Sequence, residues 1–308
     1  MRRRLLENLV MRENYRTTLR ASVLVAISGI LYGFLGYLGT NVIRDEMSIS
    51  SMLFWRFFIA AIWIFFFVVY KHAKQTTANY PNKSTLLKIF ILGAVAYAGC
   101  SGFYFLSSKY IGTGLAMVIF FCYPIMVALI SWLLHGYKLN LGIILTLVSI
   151  SIGLYLIHNS SSDELSLLGI GFGIINAFCY ALYLLASKQL SNLSIDSNIY
   201  TIMVCFGSFF IFLIMALANH TFVFPSNLKT VGYILALGIL ATAIPIQLML
   251  EGLKYVSSLR ASIISVLEPL ITMVVGFILL NESISNLQII GAVIILGSTL
   301  LVQFNRDI

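Results

Sequence analysis

Residues 265–271 read Ser-Val-Leu-Glu-Pro-Leu-Ile, placing a carboxylate beside a proline in an almost uncharged stretch. Glu268 lies in an apolar run from about Leu259 to Leu280 whose other charge, Arg260, stands at its start. An ionisable side chain in such surroundings is costly and usually faces the interior of a helix bundle or a wet cavity. Glu268 is therefore a candidate for carrying a proton or binding an amine on a path across a membrane. In the plainer alternative it is uncharged or hydrogen-bonded within the bundle and fixes helix packing. Pro269 has no backbone N–H and bares a carbonyl one turn earlier, which favours a bend. Pro124 and Pro245 do the same in other apolar runs, so all three are hinge or kink candidates.

A second set of polar groups lies in Ala-Tyr-Ala-Gly-Cys-Ser-Gly-Phe-Tyr-Phe, residues 96–105. Tyr97, Ser101 and Tyr104 are spaced by four and three residues and so share one helix face. With Tyr32 and Tyr180 from two other runs they could line a cavity for a partly aromatic or amphipathic metabolite. The alternative is tyrosines hydrogen-bonded between helices. Arg56 begins about five residues into its run, beside Trp55. It is expected to snorkel outward, with attraction of an anionic substrate as the alternative.

Other chemistries find little support. Gly99-Cys100-Ser101-Gly102 resembles the serine motif of intramembrane proteases, but such a serine needs a base within hydrogen-bond reach. His72, His135, His158 and His220 all fall in loops or at run ends. The acidic pairs Asp45-Glu46 and Asp163-Glu164 lie in short loops, and no Gly-Lys dipeptide marks a phosphate-binding loop. Cys100, Cys122, Cys179 and Cys205 lie inside apolar runs without C-x-x-C spacing, as small hydrophobes would. The chain is expected to be no enzyme, with no metal and no cofactor.

The elements that must position these residues are membrane helices. The chain has 308 residues, 60% hydrophobic and 10% charged, with a mean hydropathy of +0.97. Soluble domains carry roughly 25% charged residues. A membrane-crossing helix needs about 20 mostly apolar residues. Ten runs qualify: 21–43, 51–70, 86–107, 112–134, 140–157, 166–187, 198–218, 230–252, 259–280 and 286–303. Alternating polar strands are absent, which excludes a membrane β-barrel. The first run is too long, and followed by too many others, for a cleaved signal peptide.

The net charge of +8 is distributed as a membrane orientation signal and does not call for nucleic acid. Arg2, Arg3, Arg4, Arg12, Arg16 and Arg20 crowd residues 1–20, a basic cytoplasmic tail. With the N-terminus inside, only Arg44, Lys109 and Lys229 fall in outer loops, as the positive-inside rule requires. Both termini are thus expected in the cytoplasm.

The chain also repeats itself. A shift of 145 residues sets Gly93, Lys109, Tyr110 and Pro124 on Gly238, Lys254, Tyr255 and Pro269. A looser shift of 148 sets Tyr32 on Tyr180. Residues 21–158 and 165–304 then form two five-helix halves, and because five is odd they run in opposite directions. Inverted repeats with a site near the midplane are a recurring plan of secondary transporters. At 1.5 Å per residue Glu268 lies roughly 14 Å into a hydrocarbon core about 30 Å thick.

Residues 252–301 resemble the closing half of the drug/metabolite transporter superfamily, in its EamA-type branch. The shared pattern comprises Gly252, Lys254 and Tyr255, then Glu268-Pro269, then Glu282, then Gly291 and Gly297. The first half departs from it: Pro124 is kept, but Tyr123 stands in the place of Glu268 and Tyr137 in that of Glu282. The resemblance implies a ten-helix carrier whose central cavity is formed by its first, third and sixth helices among others. It is nearly silent on substrate. The reading is an alternating-access secondary transporter that exports an amino acid or related metabolite. Alternatives are a facilitated or ion-coupled uptake carrier for a vitamin or nucleoside-like compound, and a drug exporter. Its expected partners are a small-molecule substrate, the lipid bilayer and protons, as a monomer or homodimer in the cytoplasmic (inner or plasma) membrane.

Overall fold

A computed structural model describes the backbone of residues 2–74, 81–136, 141–158, 166–191, 193, 195–280 and 285–304. Side chains are described from Arg16 onward, apart from 71–74, 112–115, 118, 135, 154, 157–158, 273, 280, 288 and 299–304. Tyr137, Asp163, Glu164, Glu282 and the side chains of Arg2, Arg3, Arg4 and Arg12 lie outside the described residues.

Every regular element among the described residues is helical. In chain order these are α1 (Arg2–Tyr32), α2 (Leu35–Arg44), α3 (Ile49–Lys74), α4 (Lys83–Leu92), α5 (Ala98–Phe120), α6 (Tyr123–His135), α7 (Leu141–His158), α8 (Leu167–Ser191), α9 (Ser197–Ala218), α10 (Leu228–Gly238), α11 (Ile244–Leu253), α12 (Ser258–Ile264), α13 (Leu267–Leu280) and α14 (Asn286–Phe304). Among the described residues, seven segments are long and apolar enough to cross a membrane. Shorter apolar helices cover Tyr123–Leu134, Leu141–Gly153 and Ile289–Ser298. Large apolar side chains such as Phe66, Leu134, Leu167 and Leu228 stand exposed on the outer faces, where lipid would cover them.

The heaviest packing joins the two halves of the chain. α3 lies along α9, α5 along α8, α1 along α11 and α7 along α14. Small residues set the closest approaches. A Cβ on Gly207 would lie 2.2 Å from the Phe90 carbonyl oxygen, and one on Gly93 would lie 2.4 Å from that of Val204. Ser208 Oγ donates to the Gly93 carbonyl at 3.0 Å, sealing the same crossing.

Several of these helices are interrupted rather than bent. Gly33-Phe34 separates α1 from α2, Phe121-Cys122 separates α5 from α6, and Ser265-Val266 separates α12 from α13. Pro124 and Pro269 therefore fall in the first turn of a new helix, where no N–H is needed, instead of kinking a continuous one. Pro245 differs: it follows a π turn directly, inside a helical segment that runs unbroken from Leu228 to Leu253. Ahead of α5 and α11 the helix widens into π turns, Gly93–Tyr97 and Ile239–Ala243. Such turns often accompany functional sites.

Helical hydrogen bonding continues through the Lys109-Tyr110 position expected to be a loop, yet the chain still reverses there. A Cβ on Gly173 would meet both Ile119, at 2.7 Å, and Ser107, at 3.2 Å. A straight helix would separate those two residues by about 18 Å.

Candidate functional site

The breaks and π turns gather polar groups around one cavity of about 60 Å³. Tyr32 reaches it from the end of α1, just before the Gly33 break. Tyr97 closes the first π turn, and Ser101 and Tyr104 continue its face along α5. Tyr180 enters from α8 and Glu268 from the first turn of α13. All six cavity residues nominated from sequence thus line a single space, together with Leu35, Phe105, Met117 and Phe120.

Gly33 makes this arrangement possible. A Cβ there would lie 2.5 Å from Ile271 Cγ2 and 3.2 Å from the Glu268 carbonyl oxygen, so α1 could not rest on the start of α13 with a larger residue. Thr272 Oγ1 lies 3.2 Å from the Gly33 carbonyl and 3.1 Å from that of Glu268, bracing the same contact.

Aromatic rings supply six of the thirteen residues that line the wall. Tyr32 and Tyr97 share a hydroxyl–hydroxyl bond of 2.7 Å. Tyr180 stacks edge-on to Tyr123, with ring centroids 4.7 Å apart. The Glu268 carboxylate, by contrast, accepts no hydrogen bond from any described residue, and its half-buried side chain faces the cavity. Tyr123, which occupies the corresponding place in the first half, is absent from the cavity wall and donates its hydroxyl to the Ser262 carbonyl at 3.1 Å.

Arg56 does not snorkel. It is 3% exposed, lines the cavity, and donates Nε to Thr242 Oγ1 at 2.6 Å. The reason lies in the packing of α3: Gly238 brings the second π turn against the Arg56 backbone, so this face of α3 looks inward. Trp55 takes the outer position, and its indole N–H donates to the Val223 carbonyl at 3.0 Å. Asn176 is a residue that the sequence reading missed. It is 0% exposed on α8 and lines the cavity, and its signal was an amide set between Ile175 and Ala177 in the apolar first half of that helix.

Polar contacts tie helix ends on either side of the cavity. Lys188 Nζ donates to the Leu253 carbonyl at 2.6 Å, and Tyr200 donates to Ser187 Oγ at 2.9 Å. Glu251 accepts from Ser197 at 2.7 Å and pairs with Lys254 at 2.9 Å, the local ion pair expected from their spacing. At the far ends of the same helices, Thr230 bonds to Asp45, and Ser51 holds Thr221 and Val223. No group of three potential metal-ligating side chains occurs among the described residues.

The sequence pattern of the EamA-like transporter family matches the chain twice, over residues 19–158 and 167–304. The chain belongs to the EamA-like transporter family. It is a multi-pass membrane protein of the drug/metabolite transporter superfamily, and its class of activity is transport. An uncharacterized transporter of Archaeoglobus fulgidus is 26% identical over 277 residues, covering 90% of this chain and 94% of that protein. An uncharacterized transporter of Synechocystis is 28% identical over 208 residues, covering 66% of this chain and 62% of that protein. A solved structure superposes with a TM-score of 0.75 at 15% identity, covering 91% of this chain and 95% of that one, which places the fold. Neither relative's name specifies a substrate or a direction of transport.

Proposed function

We propose that this EamA-like protein is a secondary transporter with ten spans, arranged as two inverted five-helix repeats with both termini in the cytoplasm. Its substrate is a small organic metabolite, an amino acid or a related compound, moved outward across the cytoplasmic membrane by alternating access. The boundaries are those read from the sequence, residues 21–158 and 165–304, preceded by a basic tail.

The observation that carries this reading is the unpaired Glu268 carboxylate in an aromatic-walled cavity between the two halves. Ligand pockets commonly enclose about 300–1,000 Å³. A space of about 60 Å³ holds water but no metabolite, so the cavity must widen during a transport cycle. The breaks before α6 and α13 and the two π turns are places where helix segments can move without unravelling their neighbours. Polar ties at both helix ends supply contacts that can exchange between outward-open and inward-open forms.

The test is flux of a labelled amino-acid and metabolite panel in proteoliposomes, with and without an imposed pH gradient, for wild type and Glu268→Gln. Gradient-driven movement that loses its gradient dependence in the folded variant supports Glu268 as the coupling group. Flux indifferent to the gradient in both proteins makes the carboxylate structural and the protein a passive carrier. Accumulation in everted vesicles supports export, whereas concentrative uptake by whole cells overturns the outward direction.

A further inference from the structure

Two polar groups in the cavity are left unfinished by the packing of the helices. The Arg56 guanidinium carries five N–H donors in a planar fork. Its Nε is committed to Thr242, while no described residue accepts from its two terminal nitrogens or forms an ion pair with it. Holding Nε fixed orients the remaining edge of the fork, the edge that binds a carboxylate through two parallel hydrogen bonds. Asn176, fully buried in the same wall, has neither its amide oxygen nor its amide nitrogen hydrogen-bonded. Buried amides without partners are rare because they forfeit their hydration for nothing.

We infer that Arg56 and Asn176 form a carboxylate-binding subsite, and that the transported molecule carries a carboxylate for which Arg56 determines specificity. This rests on the transporter reading above and narrows it. Glu268 lines the same space, so the cavity presents one cation and one carboxylate group to its contents. A molecule with a carboxylate at one end and a protonated amine at the other would satisfy both, with the tyrosine and phenylalanine rings packing its apolar part.

The subsite also breaks the symmetry of the halves. Gly238 approaches the backbone of Arg56 on α3 as Gly93 approaches that of Val204 on α9. Arg56 and Val204 are thus counterparts, and the anion-binding charge exists on one side only. A substrate bound here has a single preferred orientation.

The experiment uses the full chain, purified in detergent, and measures thermal stabilisation by matched probes. These are free L-amino acids, their amides, their N-acetyl derivatives and simple carboxylates. Free acids are expected to stabilise the protein, with the matching amides about tenfold weaker or worse. Arg56→Gln should abolish that preference. Because Arg56 also anchors α3, Asn176→Leu is the second variant: it removes an unpaired amide, so it folds at least as stably yet binds acids about tenfold more weakly. Equal binding of acids and amides overturns the subsite and leaves the transporter reading standing. Binding of simple carboxylates and N-acetyl acids without free amino acids supports the subsite and overturns the amino-acid reading. Stabilisation by no carboxylate overturns the subsite, as does unchanged acid preference in both folded variants.

Discussion

Arg56 donates Nε to Thr242 Oγ1 at 2.6 Å, and Thr242 donates onward to the Leu237 carbonyl at 2.7 Å. A charged side chain from α3 is thereby tied to the second π turn, across a boundary between the two halves. The threonine hydroxyl serves as acceptor and donor at once, and it links the charge in the cavity to the part of the helix where backbone bonding is irregular.

Thr242→Val keeps the shape of the side chain and removes both bonds. Losing a hydrogen bond to a buried charge costs about 1.5–3 kcal/mol. The variant is expected to unfold at a lower temperature in detergent and to transport more slowly, while Thr242→Ser recovers most of the loss. Thermal unfolding of the three proteins checks this, and equal stability for Thr242→Val and wild type would remove the link.

Glycine substitutions should divide sharply by position. Gly207→Ala drives a methyl to within 2.2 Å of the Phe90 oxygen and 2.6 Å of the Ala94 nitrogen, both backbone atoms that cannot swing aside. Overpacking costs about 1–3 kcal/mol, and the α9 crossing should loosen accordingly. Gly232→Ala meets nothing within 4 Å and should be neutral or stabilising by up to about 1 kcal/mol through helix propensity. Parallel melting curves distinguish the two.

The tie between α6 and α12 gives a conformational prediction. Tyr123→Phe removes the hydrogen bond to the Ser262 carbonyl and leaves the ring packing in place. One such bond is worth about 0.5–1.5 kcal/mol. If it exists in only one state of the cycle, its loss shifts the balance between states by roughly two- to tenfold. Solvent access to a cysteine introduced at Ser262, in a background without the native cysteines, should change by that factor. Identical labelling with and without the Tyr123→Phe substitution would show that this bond persists throughout the cycle.

Ser51 offers a test of the opposite helix ends. Its hydroxyl donates to the Thr221 carbonyl at 2.6 Å and accepts from the Val223 N–H at 2.9 Å. Ser51→Ala leaves the Val223 N–H without its partner, at a cost of about 1–3 kcal/mol, while the Thr221 carbonyl keeps its bond from Ser48 Oγ at 2.8 Å. Increased protease cleavage between α9 and α10 is the expected result, and an unchanged digestion pattern would count against any bracing role.

Much of this protein follows from sequence alone, because a bilayer imposes simple demands. Long apolar runs, sparse charge and the Gly, Lys-Tyr and Pro register made helices, their approximate positions and the family legible. Tyr97, Ser101 and Tyr104 were readable as one face because helical spacing alone sets it, and Glu268 because charge is conspicuous among apolar neighbours. Arg56 was not readable. Its place near the start of α3, beside Trp55, pointed to the surface, and only the approach of Gly238 turns that face inward. Asn176 was missed for the same reason: an amide acquires meaning only when its neighbours decline to bond it. Local sequence determines which residues share a helix face. Which face meets the cavity, and which prolines begin helices instead of bending them, depends on contacts between residues more than a hundred positions apart, and only the tertiary structure decides that.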